Sequence, residues 1–100
     1  KRRSLWKWPE GEKGVAEAFL LYFDTLSHAI KRGMIFDPNV TPNERVSALT
    51  VFLPGAPIET VTSRFNAACY GAQPADIDEL DRLRIEIDAA AKMPKPEDLA

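Results

Sequence analysis

Cys69 and His28 are the only cysteine and histidine in this 100-residue chain. A thiol and an imidazole are the smallest set that could do nucleophilic chemistry. Such a pair works only if the ring lies within hydrogen-bond reach of the sulfur, an acid orients the ring, and donors await an oxyanion. The pattern of the chain argues against this. Cys69 falls on the apolar stripe of a predicted helix, where a buried, inert thiol is the usual occupant. His28 falls off the main stripe of another helix and reads as solvent-facing. No catalytic residue is expected.

Other chemistry is equally thin. One histidine and one cysteine cannot close a zinc site without several carboxylates, and no HxxxH or ExxH spacing occurs. Asp76, Asp78, Glu79 and Asp81 crowd together, but a calcium loop needs alternating oxygen ligands around a turn-making glycine. These acids open a helix instead, where capping and the helix dipole account for them. Gly11 and Gly14 lack the Lys-Ser/Thr and the preceding strand of a phosphate loop. No metal, cofactor or small-molecule substrate is expected. A helix-turn-helix reader over Pro42–Gly71 would have only Arg64 and Asn66 to meet bases, within acidic surroundings. Nucleic acid is not an expected partner.

The arm at residues 1–8 carries the strongest local hint. Lys1, Arg2, Arg3 and Lys7 combine with Trp6 and Trp8. Cations beside indoles are favoured just cytoplasmic of a transmembrane helix, where charge meets headgroups and the rings sit at the boundary. The alternative is an ordinary tail whose tryptophans cover the domain. A chain that starts Lys-Arg-Arg without a methionine reads as an excised piece.

Four helices must position these residues. Residues 1–14 hold no helical period and contain Pro9, Gly11 and Gly14, so they read as an arm or linker. Apolar residues then recur as Val15, Ala18, Phe19, Tyr22, Phe23, Leu26, Ala29 and Ile30. Lys31-Arg32 complement the carbonyl end of that helix, and Gly33 supplies a left-handed stop. Asp37-Pro38-Asn39 signals a turn. Thr41-Pro42-Asn43-Glu44 has the form of a capping box with proline at the first helical position. That second helix runs through Val46, Leu49 and Phe52-Leu53 to Pro54-Gly55. A third starts near Pro57-Ile58, puts Ile58, Val61, Phe65, Ala68 and Cys69 on one face, and stops at Gly71. Asp76 caps a fourth, with Ile77, Leu80, Leu83, Arg84, Ile87, Ala90 and Ala91 as its stripe, until Pro94 and Pro96 end it. The predicted fold is all-α, a small bundle of about four helices with short loops over residues 15–92, followed by a flexible tail at 93–100.

Composition agrees with a folded domain. Thirteen Lys and Arg stand against fifteen Asp and Glu, giving a net charge of −2, which disfavours nucleic acid as the main partner. The basic arm leaves the remainder distinctly acidic. One cysteine excludes an internal disulfide. No apolar run is long enough to cross a bilayer, and no signal peptide follows the basic start.

Taken in order, these signals resemble a C-terminal domain of unknown function found in bacterial multi-pass membrane proteins with a transglutaminase-like core. That family has an aromatic first helix, matched by Phe19, Tyr22 and Phe23, and a basic-glycine stop, matched by Lys31-Arg32-Gly33. Its Thr-Pro-x-Glu helix start is matched by Thr41-Pro42-Asn43-Glu44. An aromatic helix ending in Tyr-Gly is matched by Phe65 and Tyr70-Gly71, and a last helix rich in Leu and Arg by Leu80, Leu83 and Arg84. The resemblance covers about residues 15–92, and the Asp37-Pro38-Asn39 linker has no clear counterpart.

The resemblance implies a tether through an upstream transmembrane helix and a position at the cytoplasmic face of the bacterial inner membrane. The transglutaminase-like chemistry would belong to the other domain. The expected function is therefore a non-enzymatic module that binds a protein partner or regulates the attached extracytoplasmic domain, with Tyr70 as a candidate contact residue. The alternative is a free-standing small helical protein with nucleic-acid-binding or Cys/His enzymatic activity.

Overall fold

The structure, a computed structural model, describes residues 13–70 and 76–94. Four α-helices follow one another: α1 (Lys13–Lys31), α2 (Pro42–Phe52), α3 (Ile58–Cys69) and α4 (Ile77–Lys92). With no strand among the described residues, the protein is a small all-α bundle. Helix α1 begins at Lys13, two residues before the start of its apolar period, and takes in Gly14, which is buried.

The local signals at the helix ends act as their chemistry dictates. At the end of α1 the Met34 amide donates to the Ala29 carbonyl and the Gly33 amide to Ile30, each at 3.0 Å. This is a Schellman stop, and Gly33 holds the positive φ of +115° that it requires. In the turn that follows, the Asn39 amide donates to Asp37 Oδ1 at 2.9 Å. At the start of α2 the Glu44 amide donates to Thr41 Oγ1 at 3.2 Å, and the Thr41 amide donates to Glu44 Oε1 at 3.0 Å. The expected capping box is complete. Asp76 caps α4 by accepting from the Asp78 amide at 2.9 Å. Gly71, expected to stop α3, lies outside the described residues, as does the tail from residue 95.

Contacts between helices set their directions. Arg84 pairs with Asp24 and Asp88 with His28, so α4 runs parallel to α1. Phe65 of α3 packs on Phe19, Tyr22 and Phe23, level with Glu79, which Arg64 grips near the start of α4. Since α3 ends where α4 begins, it runs antiparallel to both. Asn66 bonds Asn43 at the opposite end of the α2–α3 hairpin from its turn, so α2 also lies antiparallel to α3 and parallel to α1. Parallel neighbours cannot be joined by a tight turn. Residues 32–41 therefore form a crossover that returns along the bundle before α2 starts.

The core gathers around α1, which contacts each of the other three helices. Ala18, Leu21, Tyr22, Leu26 and Ala29 of α1 close against Leu49, Leu53, Ile58, Val61, Leu80, Leu83 and Ile87. The buried face of α1 is turned from the predicted stripe. Leu21 and Thr25 are inside, whereas Phe23 and Ile30 are 51% and 44% exposed. The reason is that α4 packs on the side carrying Leu21, Asp24 and His28, which the aromatic run on the other side hides from a sequence reading. The Thr25 hydroxyl tolerates burial because it donates to the Leu21 carbonyl at 2.8 Å. Tyr22, at 1% exposure, stacks on Phe65 with ring centroids 4.2 Å apart, a geometry that adds roughly 0.5–1.5 kcal/mol beyond area burial.

Two arginines hold the irregular backbone to this core. Arg45 is 7% exposed. Its guanidinium donates to the Tyr22 hydroxyl at 3.2 Å and to the Asp37 and Val40 carbonyls at 2.8 Å each. The ring of Phe36 lies 4.7 Å from it, so a cation–π contact completes its surroundings. The crossover is thus fastened at its far end by a residue of the helix it leads into.

Arg32 acts at the other end of the bundle. The expectation placed its charge on the dipole of α1; instead its side chain reaches two other helices. It donates to the Phe52 carbonyl at 2.9 Å, to Ala90 at 3.1 Å, to Ala91 at 2.9 Å, and to Met93. These carbonyls lie at the C-terminal ends of α2 and α4, where the regular helical bonding runs out, and the cation also meets the negative ends of both dipoles. Replacing Arg32 by Ala is expected to cost about 1–2 kcal/mol. Arg32→Lys should recover only part, because an ammonium cannot fork between two helix ends. Urea unfolding followed by circular dichroism measures both, and an unchanged midpoint for Arg32→Ala would refute the clamp.

Candidate functional site

Helix α3 ends at Cys69, and Tyr70 follows directly as its cap. Cys69 was expected to be buried; it is free and exposed. It does lie on the stripe of Ile58, Val61 and Phe65, but it is the last residue of the helix, beyond Phe65 and Ala68, which are the last to pack on the core. Position along the helix overrides position around it. Tyr70 follows in helix-terminal geometry with φ −95° and is 84% exposed. Its ring forms no part of the core, so the corner presents it to solvent.

His28 is not free on the surface as its place on the wheel implied. Its side chain is partly covered, and Nε2 lies 3.3 Å from Asp88 Oδ1 of α4. Cys69 and His28 also sit towards opposite ends of the bundle. Phe65 packs level with residues 19–23, α3 continues from there towards the start of α1, and His28 lies in α1's last turn. At about 1.5 Å per residue, the two are separated by roughly 15 Å along the axis. Nucleophilic chemistry between them would need direct contact. The acid that meets the ring, Asp88, has no thiol beside it, and the geometry offers a structural tie between α1 and α4.

The two polar residues of α3 that might have met bases are also engaged. Arg64 donates from Nε and from one terminal nitrogen to the two oxygens of Glu79, both at 2.7 Å. Asn66 Nδ2 donates to Asn43 Oδ1 at 2.9 Å. The bidentate hydrogen bond from Arg64 is the main cause that holds the Glu79 carboxyl below its ordinary range; burial opposes this and the charge of Arg64 adds to it. The same hydrogen bond raises Arg64. Both side chains remain partly in solvent, at 36% and 25% exposure, so water screens the pair and its worth is that of a surface bridge. In α4, then, Asp76 does the capping while Glu79 leaves the cap to bind α3.

Of the proposed contact residues, Tyr70 alone is described. Lys1, Arg2, Arg3, Trp6, Lys7 and Trp8 lie outside the described residues. Among the described residues no group of three or more His, Cys, Asp or Glu is placed to hold a metal ion, and no helix is long and apolar enough to cross a membrane. The sequence reading passed over Arg45, because an arginine among the polar residues of a weakly amphipathic helix gives no sign that it will be covered. It also passed over Thr62, which is buried at 3% exposure facing α2.

Comparison of the chain with family models, with curated proteins and with solved structures gives no match.

Two outcomes follow from this geometry. An exposed Cys69 should react with one equivalent of a thiol reagent in the native protein, at a rate close to that in denaturant; labelling that waits for unfolding would contradict the exposure. For the Arg64–Glu79 pair the sign is set by Glu79, whose folded carboxyl binds its proton less tightly than the unfolded one. Its contribution is present above the ordinary glutamate value of about 4.3 and is lost as pH falls through the lowered folded value. Glu79→Gln should cost less than about 1 kcal/mol at neutral pH. The difference from the parent should shrink as pH falls below the ordinary glutamate range and through the lowered folded value, when both are unfolded in urea across that range.

Proposed function

We propose that this chain is a non-catalytic C-terminal module of a bacterial transglutaminase-like membrane protein, held at the cytoplasmic face of the inner membrane. It binds a protein partner or regulates the attached extracytoplasmic domain. The ordered motifs from Phe19 to Arg84 support the family, and the cations and tryptophans of residues 1–8 support a membrane-proximal position. The observation that carries an interaction role is Tyr70. A tyrosine exposed to 84% at the end of a packed helix contributes little to stability, yet it has the apolar body and polar tip that dominate protein contacts. Ile35, Ile85 and Val51, at 88%, 68% and 61% exposure, add apolar surface that the core does not use.

Deleting residues 15–92 from the full-length parent protein is expected to abolish assembly with its partner or alter the activity of the attached domain. Tyr70→Ala should weaken that association by about tenfold or more while shifting stability by less than about 0.5 kcal/mol. Unchanged assembly and activity after the deletion would dispose of the reading.

A further inference from the structure

Helix α1 carries a second apolar stripe on the side turned from the core. Ala16, Leu20, Phe23, Ser27 and Ile30 recur at helical spacing, and they fall within roughly 80° of one another at 3.6 residues per turn. Helix α4 flanks this side through Asp24 and His28, and Phe65 of α3 flanks it through Phe19 and Phe23. Neither covers it. Leu20 is 52% exposed, and Phe23 and Ile30 are nearly as open. Ala16 is only 7% exposed yet has no place in the core cluster. The stripe is thus shielded where α1 begins by something other than the core.

Twelve residues of this chain precede α1, among them Leu5 and both of its tryptophans, Trp6 and Trp8. Trp8 stands five residues before Lys13, a reach of about 17 Å for an extended chain. Leu20 lies seven residues further into α1, about 10 Å along its axis. A reversal at Pro9 and Gly11, both turn formers, therefore brings the indoles alongside the stripe. The spacing matches too. In an extended segment Trp6 and Trp8 project to one side about 6.6 Å apart, close to the helical pitch of about 5.4 Å that separates successive stripe positions. A second copy of the chain suits the stripe less well. Three half-covered side chains of about 200 Å² each leave on the order of 300 Å², against the roughly 800 Å² per partner of a stable interface. Two indoles can cover such an area from one side.

We propose that the outer stripe of α1 is the docking site of this chain's own residues 5–8, with Trp8 against Ala16 and Leu20 and Trp6 against Leu20 and Phe23. The inference needs only this chain, so it stands or falls apart from the membrane-protein reading. With the indoles on α1, contact with lipid headgroups falls to Lys1, Arg2 and Arg3. Under that reading, docking makes the connection between the domain and its tether a fixed one.

Both tryptophans lie in the arm, so all indole fluorescence reports on it. In the isotope-labelled 100-residue chain, nuclear Overhauser contacts are expected from the Trp6 and Trp8 rings to the Leu20 methyls and the Phe23 ring. Without any lipid, the indole emission should be blue-shifted from that of free tryptophan. Leu20→Asp should weaken docking by about tenfold, the equivalent of about 1.4 kcal/mol, and acrylamide should then quench the indoles more readily. Its circular dichroism should stay that of the parent, because Leu20 is half exposed. Trp8→Ala should lower the Tm although it removes nothing from the core. Solvent-like emission in the parent, or indole contacts to another face of the bundle, would overturn the proposal. Contacts that appear only between differently labelled copies would overturn it as well, by placing the arm on a second molecule. So would emission that shifts only when phosphatidylglycerol vesicles are added, which assigns the indoles to the bilayer.

Discussion

Arg32 resolves an electrostatic difficulty that the topology creates. Helices α1, α2 and α4 run in the same direction, so their carbonyl ends meet at one end of the bundle. Each end carries a partial negative charge and several unpaired acceptors. The guanidinium of Arg32 donates to acceptors on α2 and α4 at once, while the Schellman turn closes α1 from within. Lys31 and Lys92 lie in the same last turns, and the amide end of α3 faces the same way. Positive charge collects where three dipoles end. At the opposite end the acids Glu44, Asp78 and Glu79 sit in first turns, the favourable arrangement there.

The parallel run of α1 and α2 also dictates the crossover, and the crossover explains Arg45. A chain that must travel back along a bundle leaves carbonyls with no ladder to join. Two of them, on Asp37 and Val40, are taken up by Arg45, which is itself nearly removed from water. No carboxylate bonds it among the described residues; its charge is balanced by the Tyr22 hydroxyl, two carbonyl dipoles and the face of Phe36. The arrangement is strong because a planar fork can serve several acceptors that a lysine could not. Tyr22 then joins the two halves of the design, since its ring stacks in the core and its hydroxyl receives the arginine.

Local signals were the most legible. Thr41 to Glu44 and Asp76 act within one helical turn, and Gly33 closes its helix through bonds reaching no further than Ala29 and Met34, so each works in almost any tertiary setting. The apolar periods of α1, α3 and α4 were also readable, because burying one stripe is the only way such helices leave water. What failed was whatever depended on a neighbour. Cys69 lies on the right side of α3 but past the end of its packing. His28 lies off the stripe, yet α4 brings Asp88 to it. Phe23 and Ile30 look like core until α4 draws Leu21 inward instead. The candidate site was legible only as a short list, with Tyr70 on it and the covered Arg45 absent.

By itself, then, the sequence determined an all-α domain with the four helices seen among the described residues, the starts of α2 and α4 and the stop of α1, because capping chemistry and helical periodicity are properties of a few adjacent residues. The tertiary structure alone decided that three of those helices run parallel, that Arg32 serves helices other than its own, and that Arg45 is covered. Each of those outcomes joins residues far apart in the chain. Such pairings follow from how the helices share one core, a condition on the whole molecule that no local pattern encodes.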